Sequence, residues 1–409
     1  MADKSAYKGR EQTRLKHFIL RRYLSAWAHK VGRFSNTLTY VDCFSGPWNA
    51  VSKDLSDSSF SIALDELRKA RETHAKDGRT IQLRCLFIEK KKSAYAQLKA
   101  FADSVTDATV ETIQGEFEDH VPAVISFIKS GGERNFPFVF IDPTGWTGFA
   151  MDTIEPLLQV KPIEVLINFM TSHIRRFIEL AETQESFIRM FGSADYQGLV
   201  HGKTLLDKED ALIGEYFRNL KPRGQFEHVA AAMVLDPEIS RTSFHLIYAT
   251  RNIVGLQVFK DAEKSAMKAM LEAQELEETE TARKMADEKV QSDLFGPLDV
   301  IIPKHYELLR ERYGTLARDL VTSLLTAKVD LAYEVAWRTA LSFPLVWESD
   351  LKDWIAEWQE EGSVVVNGLG PRERVPKLDQ GHRLTFISED RRTASPPSGR
   401  KSKPSHKKS

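Results

Sequence analysis

The sequence has few cysteines and no long apolar run. Its 409 residues include only two cysteines, Cys43 and Cys85, which lie in apolar segments, so neither a disulfide framework nor a cysteine-based metal site is indicated. No segment approaches the ~18 consecutive apolar residues of a membrane span, and the basic N-terminus is not followed by the apolar stretch of a signal peptide. We therefore expect a cytoplasmic protein that does not bind membranes.

The sequence also lacks the common catalytic signatures and a net charge. It contains no P-loop, no His-Glu-x-x-His and no Gly-x-Ser-x-Gly motif, and we predict no metal site. The 57 lysines and arginines nearly balance 58 acidic residues, so the global charge gives no argument for a nucleic-acid binder. A composition of 42% hydrophobic and 28% charged residues is typical of a globular chain, and the length predicts about two domains plus tails.

The charge is unevenly distributed along the chain. Residues 1–33 carry nine lysines and arginines against two acids, and residues 391–409 carry seven and no acid. Apolar residues at spacings of three and four predict an amphipathic helix over 11–31, whose other face is basic. Both segments could contact nucleic-acid phosphates, although a basic tail also serves solubility. The candidate contact residues are Arg21, Arg22, Arg400 and Lys401.

The middle of the chain predicts a mostly parallel sheet. Successive strand ends lie 26 or 27 residues apart with helical patterns between them, which is typical of βα units. Two further strands are joined by a segment too short for a crossover helix, so they must pair antiparallel. This element order predicts an α/β, Rossmann-like sheet of the class I methyltransferase type. The predicted strands are 38–43, 81–88, 109–114, 136–141, 164–167, 228–235 and 243–250.

The C-terminal part predicts a smaller, winged-helix-like domain. Helical patterns over 306–313, 315–328 and 349–361 precede two short strands, 364–367 and 383–387. Trp337, Trp347, Trp354 and Trp358 are expected to form its core. The predicted organisation is a basic helix over 1–36, a methyltransferase-like domain over 37–262, a charged helical linker over 263–296, the winged-helix-like domain over 297–388 and a disordered tail over 389–409.

The ends of the first three strands carry candidate cofactor-binding residues. In an open α/β sheet, ligands bind outside the carboxyl ends of the strands. Asp42, Ser45 and Gly46 follow the first strand, where a glycine lets the backbone approach a ligand. Glu89 ends the second strand, where one carboxylate can accept from both hydroxyls of a ribose, and Glu116 follows the third. The alternative for each acid is an ordinary helix cap.

The ends of the fourth and fifth strands carry candidate catalytic and contact residues. Asp142 could orient or deprotonate an amine or hydroxyl, and Trp146 could stack on a planar group. The alternative is that Trp146 belongs to the core and Asp142 caps a helix. Asn168 leads into Arg175 and Arg176, where phosphate contacts compete with an ordinary solvated helix.

Several of these segments together resemble a known family, the three-Cys-motif partner proteins (TcmP). The resemblance covers residues 14–262 and implies a class I methyltransferase-like fold and a three-Cys-motif, radical-SAM-like protein as a possible partner. The segments that carry it are HFILRRYLSAW at 17–27, YVDCFSGP at 40–47, FIDPTGW at 140–146, LINFM at 166–170, YAT at 248–250, Gly255 and Lys260-Asp261.

Three functional hypotheses follow. The first is an S-adenosylmethionine-dependent methyltransferase-like protein acting on nucleic acid, with Asp42 and Gly46 at the methionine end, Glu89 on the ribose and Glu116 near the adenine. The second is a non-catalytic nucleic-acid-binding or partner protein that has lost cofactor binding. Trp48 favours it, because members of the family usually have glycine there. The third is another nucleotide-handling enzyme on the same sheet.

Overall fold

The computed structural model describes residues 11–46, 55, 57–235, 241–287 and 301–388. The chain forms two compact units, one of residues 1–313 with 342–345, and one of residues 314–341 with the chain from 346 onward. The predicted tail, Trp48 and part of the predicted linker lie outside the described residues.

The first unit alternates strands and helices, as the strand spacing predicts. Its elements up to the fifth strand are α1 (Glu11–Val31), β1 (Thr37–Asp42), α2 (Ser59–Lys76), β2 (Gln82–Glu89), α3 (Lys92–Ser104), β3 (Thr109–Gln114), α4 (Val121–Lys129), β4 (Asn135–Ile141), α5 (Met151–Leu158) and β5 (Glu164–Phe169). They are followed by α6 (Thr171–Phe177), α7 (Gln184–Phe191), α8 (Gln197–Val200), α9 (Leu205–Arg223), β6 (His228–Leu235), β7 (Thr242–Thr250), α10 (Ile253–Asp287) and α11 (Ile301–Lys328), which continues into the second unit. Short 3-10 turns cover Phe117–His120 and Ala181–Thr183.

The seven strands form one sheet in the order β3-β2-β1-β4-β5-β7-β6. Neighbours from β3 to β5 pair parallel, and β7 runs antiparallel to both β5 and β6. A parallel sheet closed by one reversed strand is the class I methyltransferase arrangement, so the predicted fold class and the antiparallel pairing of the last two strands are confirmed.

β3 is less buried than the other strands of this sheet. Its residues are half-buried or exposed, whereas every residue of β1, β5, β6 and β7 is buried. β3 is an edge strand that packs mainly against one helix, α3, whereas the other edge strand, β6, packs against α1, α9 and α10 and is buried. α6 lies where the sequence offers a helix at Arg175 and Arg176 as one of two alternatives, and the short helices α7 and α8 were not predicted.

Helices cover both faces of the sheet. On one face, an apolar core joins α4 to α9 to the inward side chains of β1, β2, β4, β5, β6 and β7. On the other face, α1 packs against α2 and α10. Aromatic contacts tie these helices to the strands, such as the tilted pair of Tyr23 and Phe138 at 5.2 Å between ring centroids.

A buried polar cluster fixes α1 on the sheet. Tyr23 Oη donates to Glu164, the first residue of β5, and lies 2.7 Å from Tyr248 Oη on β7. Thr250 Oγ1 donates to the same carboxylate at 3.1 Å. Burial raises the pKa of Glu164. The register of α1 on the sheet is therefore set by specific hydrogen bonds as well as by its apolar stripe.

Up to residue 388, the second unit has two helices and three short strands beyond α11. These are β8 (Asp330–Ala332), α12 (Tyr333–Leu341), α13 (Glu348–Glu360), β9 (Val364–Asn367) and β10 (Arg383–Phe386), with an antiparallel sheet in the order β8-β10-β9. All four tryptophans predicted for its core are buried.

The predicted helices 306–313 and 315–328 are in fact one helix. Gly314, between them, does not interrupt α11, and a Cβ placed there would meet no atom within 4 Å. An isolated glycine in a helix costs only about 1 kcal/mol, which the buried side chains on either side of it offset. Sequence patterns also missed β8 and α12.

Candidate functional site

The predicted site residues meet at the carboxyl edge of the parallel strands. Asp42, the last residue of β1, pairs in register with Phe87 of β2 and Phe140 of β4, so the ends of these three strands lie side by side. Glu89 ends β2 opposite Gln114 of β3. Asp142 follows β4, and Asn168 lies near the end of β5. One edge of the sheet therefore collects the side chains that the sequence places at separate strand ends.

Asp42 organises the turn that leaves β1. Its Oδ2 accepts from Ser59 Oγ at 2.6 Å and from Tyr40 Oη at 3.2 Å, and its Oδ1 accepts from the Phe44 amide at 3.2 Å. Ser45 continues the turn, since its hydroxyl donates to the Asp42 carbonyl at 2.8 Å. Burial is the main cause that raises the pKa of Asp42 to about 6, and these hydrogen bonds oppose it. Both carboxylate oxygens are hydrogen-bonded within the chain, so the contact of Asp42 with the methionine end of a cofactor stays a prediction.

Ser45 and Gly46 carry the backbone past the end of β2. The Ser45 amide donates to the Ile88 carbonyl at 2.8 Å, and the Gly46 amide donates to the Phe44 carbonyl at 2.9 Å. Ser45 is buried and Gly46 is half-buried, so the backbone becomes accessible at the glycine. This is where a backbone approach to a ligand was predicted.

Glu89 is buried and keeps one carboxylate oxygen without a partner among the described residues. Its Oε1 accepts from the Lys91 amide at 2.6 Å, as a cap at the start of α3 would. No bond within the described residues reaches its Oε2, which keeps some contact with solvent because it is not one of the fully buried unpartnered atoms. Glu116 differs, because it is exposed and pairs with Lys90 at 3.2 Å. Of the two predicted cofactor acids, Glu89 has the surroundings of a ligand-binding group.

The loop between β4 and α5 is held in place from two sides. Glu118 accepts from the Ala150 amide at 2.5 Å, just before the start of α5. Gly148 has a φ of +90°, and a Cβ there would lie 3.3 Å from the Phe44 ring. The loop that carries Asp142 and Trp146 therefore packs against the turn after β1, which joins the two halves of the candidate site.

Trp146 packs within this loop and α7. Its ring stacks on Phe187 with centroids 5.1 Å apart and lies 5.0 Å from Phe177, and its Nε1 donates to Ser186 Oγ at 2.9 Å. It is half-buried against the main core. These contacts favour the alternative in which Trp146 is mainly a packing residue, while stacking on a substrate stays a prediction.

Asp142 is part of a polar cluster that sequence reasoning missed. Its Oδ2 accepts from Lys16 Nζ of α1 and its Oδ1 from Asn168 Nδ2, both at 2.6 Å. Asp142 therefore does not cap a helix, but is held by a lysine 126 residues away. One signal could have found Lys16, because it lies on the same helix stripe as the buried Leu20 and Tyr23, where a lysine needs a partner.

The predicted nucleic-acid contact residues differ in their availability. Arg22 and Arg176 are exposed, and each lies over a neighbouring phenylalanine ring of its own helix. Arg21 pairs with Glu66 at 3.1 Å. Arg175 is only 15% exposed and pairs with the buried Glu209. Arg400 and Lys401 lie outside the described residues.

Other kinds of site are not found in the described part of the chain. No group of three or more histidine, cysteine, aspartate or glutamate side chains there could hold a metal ion. Cys43 and Cys85 are buried and unpaired with each other, and burial raises the pKa of both thiols. None of the described helices is both long enough and apolar enough to cross a bilayer.

Comparison with known proteins finds structural neighbours of low sequence identity. No family model and no curated protein matches the chain. Among solved structures, protein LPL1258 from Legionella pneumophila str. Philadelphia 1, of the DUF519 family, is 12% identical, with a TM-score of 0.34 over 58% of this chain and 84% of that one. A loganic acid methyltransferase with SAH is 9% identical, with a TM-score of 0.29 over 64% of this chain and 83% of that one. The assignment of the fold therefore rests on the strand order given above.

Proposed function

We propose that this chain is an S-adenosylmethionine-dependent methyltransferase-like protein that acts on nucleic acid, and that it is a three-Cys-motif partner protein. The observation that carries the proposal is the position and environment of Glu89. It ends β2 at the carboxyl edge of a sheet with methyltransferase strand order, it is buried, and its Oε2 has no partner among the described residues. A carboxylate in that position suits the two hydroxyls of a ribose.

The surrounding residues fit the rest of such a cofactor. Gly46 would let the backbone approach the methionine end, and Glu116 lies on the exposed side beyond β3, where an adenine would sit. When bound, S-adenosylmethionine would supply an electrophilic methyl group. Asp142 lies at the end of β4, on the side of the site where the acceptor would enter. The protein's own contribution would be to bind the cofactor, to orient the acceptor and to exclude water from the site.

The nucleic-acid part of the proposal rests on exposed basic side chains. Arg22 and Arg176 are free to meet phosphates, and each phosphate neutralised by such a residue makes affinity fall with salt. In the second unit, the order α11-β8-α12-α13-β9-β10 would suit the winged-helix-like domain that the sequence predicts.

The charge of α13 argues against contact through that helix. Its exposed and half-exposed positions are mostly acidic, whereas the segment between β9 and β10 exposes arginines. If this unit binds nucleic acid, the β9–β10 segment is the part that does so. The acids of α13 are Glu348, Asp350, Asp353, Glu357 and Glu360, and the exposed arginines are Arg372 and Arg374.

Calorimetric titration with S-adenosylmethionine tests the cofactor site. We expect the wild type to bind, Glu89→Ala to bind at least about tenfold more weakly because the ribose loses its acceptor, and the control Glu111→Ala, an exposed acid on β3, to bind like the wild type. No heat with the wild type would contradict the proposal and favour the non-catalytic partner protein. Equal affinity in Glu89→Ala would reject the assigned ribose contact.

A gel-shift titration with single- and double-stranded nucleic acid at low salt tests whether the protein binds nucleic acid. We expect a complex whose affinity falls steeply with salt and with deletion of residues 391–409. Absence of a complex at the lowest salt would remove nucleic acid from the proposal and leave the cofactor site untouched.

A further inference from the structure

Lys16, Asp142 and Asn168 form a largely buried polar cluster. Lys16 and Asn168 each donate to one oxygen of Asp142 at 2.6 Å. The side chains of Lys16 and Asp142 are 12% and 15% exposed, and Asn168 is 2% exposed. The carboxylate charge is thereby compensated by one ammonium group within a largely buried site.

The orientation of the Asn168 amide follows from its neighbours. Its Nδ2 faces Asp142 Oδ1 and lies 3.3 Å from the sulfur of Met170. The reverse orientation would set the amide oxygen against a carboxylate oxygen, two acceptors without a hydrogen between them. Asn168 Oδ1 must therefore point away from Asp142. There it is buried and accepts no hydrogen bond from any described residue.

A buried carbonyl oxygen without a donor is uncommon, because nearly all such groups in folded proteins are paired. Asn168 lies near the carboxyl end of β5, on the edge where ligands of parallel sheets bind, so a bound ligand can supply the missing donor. Resting on the proposed function, we propose that Asn168 Oδ1 accepts a hydrogen bond from an uncharged exocyclic amino group of a nucleobase.

The charges around Asn168 select an uncharged donor. An alkylammonium group would meet Lys16, a cation, while Asp142 is already paired with that lysine. The exocyclic amino group of a nucleobase offers an N–H donor and carries no charge. Lys16 acts in this arrangement as a positioning residue, because it fixes Asp142, and Asp142 in turn fixes the amide of Asn168 with its oxygen pointing away from the carboxylate.

Four single-stranded oligonucleotides of one mixed sequence test the proposal by fluorescence anisotropy at low salt. The parent strand is compared with strands in which every adenine is replaced by purine, every cytosine by 2-pyrimidinone, or every guanine by hypoxanthine, so that each strand lacks one amino group. We expect the wild type to bind one of the three modified strands at least about tenfold more weakly than the parent, since a built hydrogen-bond site rejects a ligand without the donor.

The variant Asn168→Leu is expected to bind parent and modified strands equally, at the affinity the wild type has for the weakest strand. Asn219→Leu, which removes a half-buried amide on α9, is the control and should behave like the wild type. The wild-type comparison needs no variant, so it decides even if Asn168→Leu fails to fold. Equal wild-type affinity for all four strands, or no binding to any, would overturn the proposal.

Two further measurements distinguish a nucleobase amino group from other possible donors to Asn168. If a ribose version of the parent strand binds more tightly than the deoxyribose version and the amino groups make no difference, the donor is a 2′-hydroxyl and the proposal is wrong. If Asn168→Leu instead loses tenfold affinity for S-adenosylmethionine, Asn168 contacts the cofactor, which overturns this inference and leaves the proposed function standing. Failure of the wild type to bind S-adenosylmethionine would reject the proposed function without deciding the strand comparison.

Discussion

Ser59 Oγ lies 2.6 Å from Asp42 Oδ2, so the first residue of α2 is hydrogen-bonded to the last residue of β1. The bond closes the loop that leaves β1 and holds a carboxyl group away from water. Because burial raises the pKa of Asp42 to about 6, the fold keeps this group protonated at pH values where an exposed aspartate is already ionised.

Asp42→Asn should abolish a pH dependence of stability. The folded state of the wild type binds more protons than the unfolded state between about pH 4 and 6, so its free energy of unfolding falls as pH rises through that window. Asparagine keeps an acceptor for the Phe44 amide and cannot ionise. We expect the variant to be more stable than the wild type by ~1–3 kcal/mol above pH 6, with no difference near pH 4.

Urea unfolding at pH 4, 5, 6 and 7.5 measures this difference. Asp119→Asn, which neutralises an exposed aspartate of the same unit, is the control and should leave the slope unchanged. Parallel stability curves for wild type and Asp42→Asn would show that Asp42 ionises normally in the folded protein.

Gly148→Ala should destabilise the loop that carries Asp142. Gly148 has a φ of +90°, and its added Cβ would lie 3.3 Å from the Phe44 ring, so backbone strain and a tight contact both act. We expect a loss of ~1–3 kcal/mol in thermal unfolding. Gly145→Ala, in the same loop, has no positive φ and meets no atom within 4 Å, so its melting temperature should stay close to that of the wild type. Equal shifts for the two variants would contradict the strain argument.

The parts of the fold that sequence predicts best are those set by local pattern. The spacing of apolar segments gives the strands within one or two residues, and strand order then brings Asp42, Glu89 and Asp142 to one edge. Each of these steps needs only periodicity and the rule that ligands bind at the carboxyl ends of parallel strands.

What sequence could not predict depends on pairs far apart in the chain. Lys16 reaches Asp142 across 126 residues, and Arg175 reaches Glu209 across 34, so neither pair leaves a local pattern. Gly314 is an error of the other kind. The glycine predicted a break between two helices, but packing on either side of it keeps α11 continuous. The sequence therefore predicts the edge of the sheet at which the site lies. It does not predict which distant polar residues pair there, because those pairs form only in the folded chain.

The adjacent arginines of α6 should separate stability from nucleic-acid binding. Arg175 pairs with Glu209, whose side chain is 1% exposed and whose pKa burial raises to about 7. Arg175→Ala leaves that carboxyl group without its cation, so we expect a loss of ~1–3 kcal/mol in urea unfolding at pH 8, smaller at pH 5.5, where the group can be protonated.

Arg176→Ala should leave stability unchanged and weaken nucleic-acid binding. Arg176 is exposed and forms no ion pair within the described residues, so its removal should change the free energy of unfolding by less than ~0.5 kcal/mol. If it contacts a phosphate, the affinity for nucleic acid should fall uniformly across sequences, and the dependence of log affinity on log salt should become shallower by about one phosphate. An unchanged salt slope in Arg176→Ala would remove α6 from the nucleic-acid surface, because Arg175, its neighbour, is already committed to Glu209.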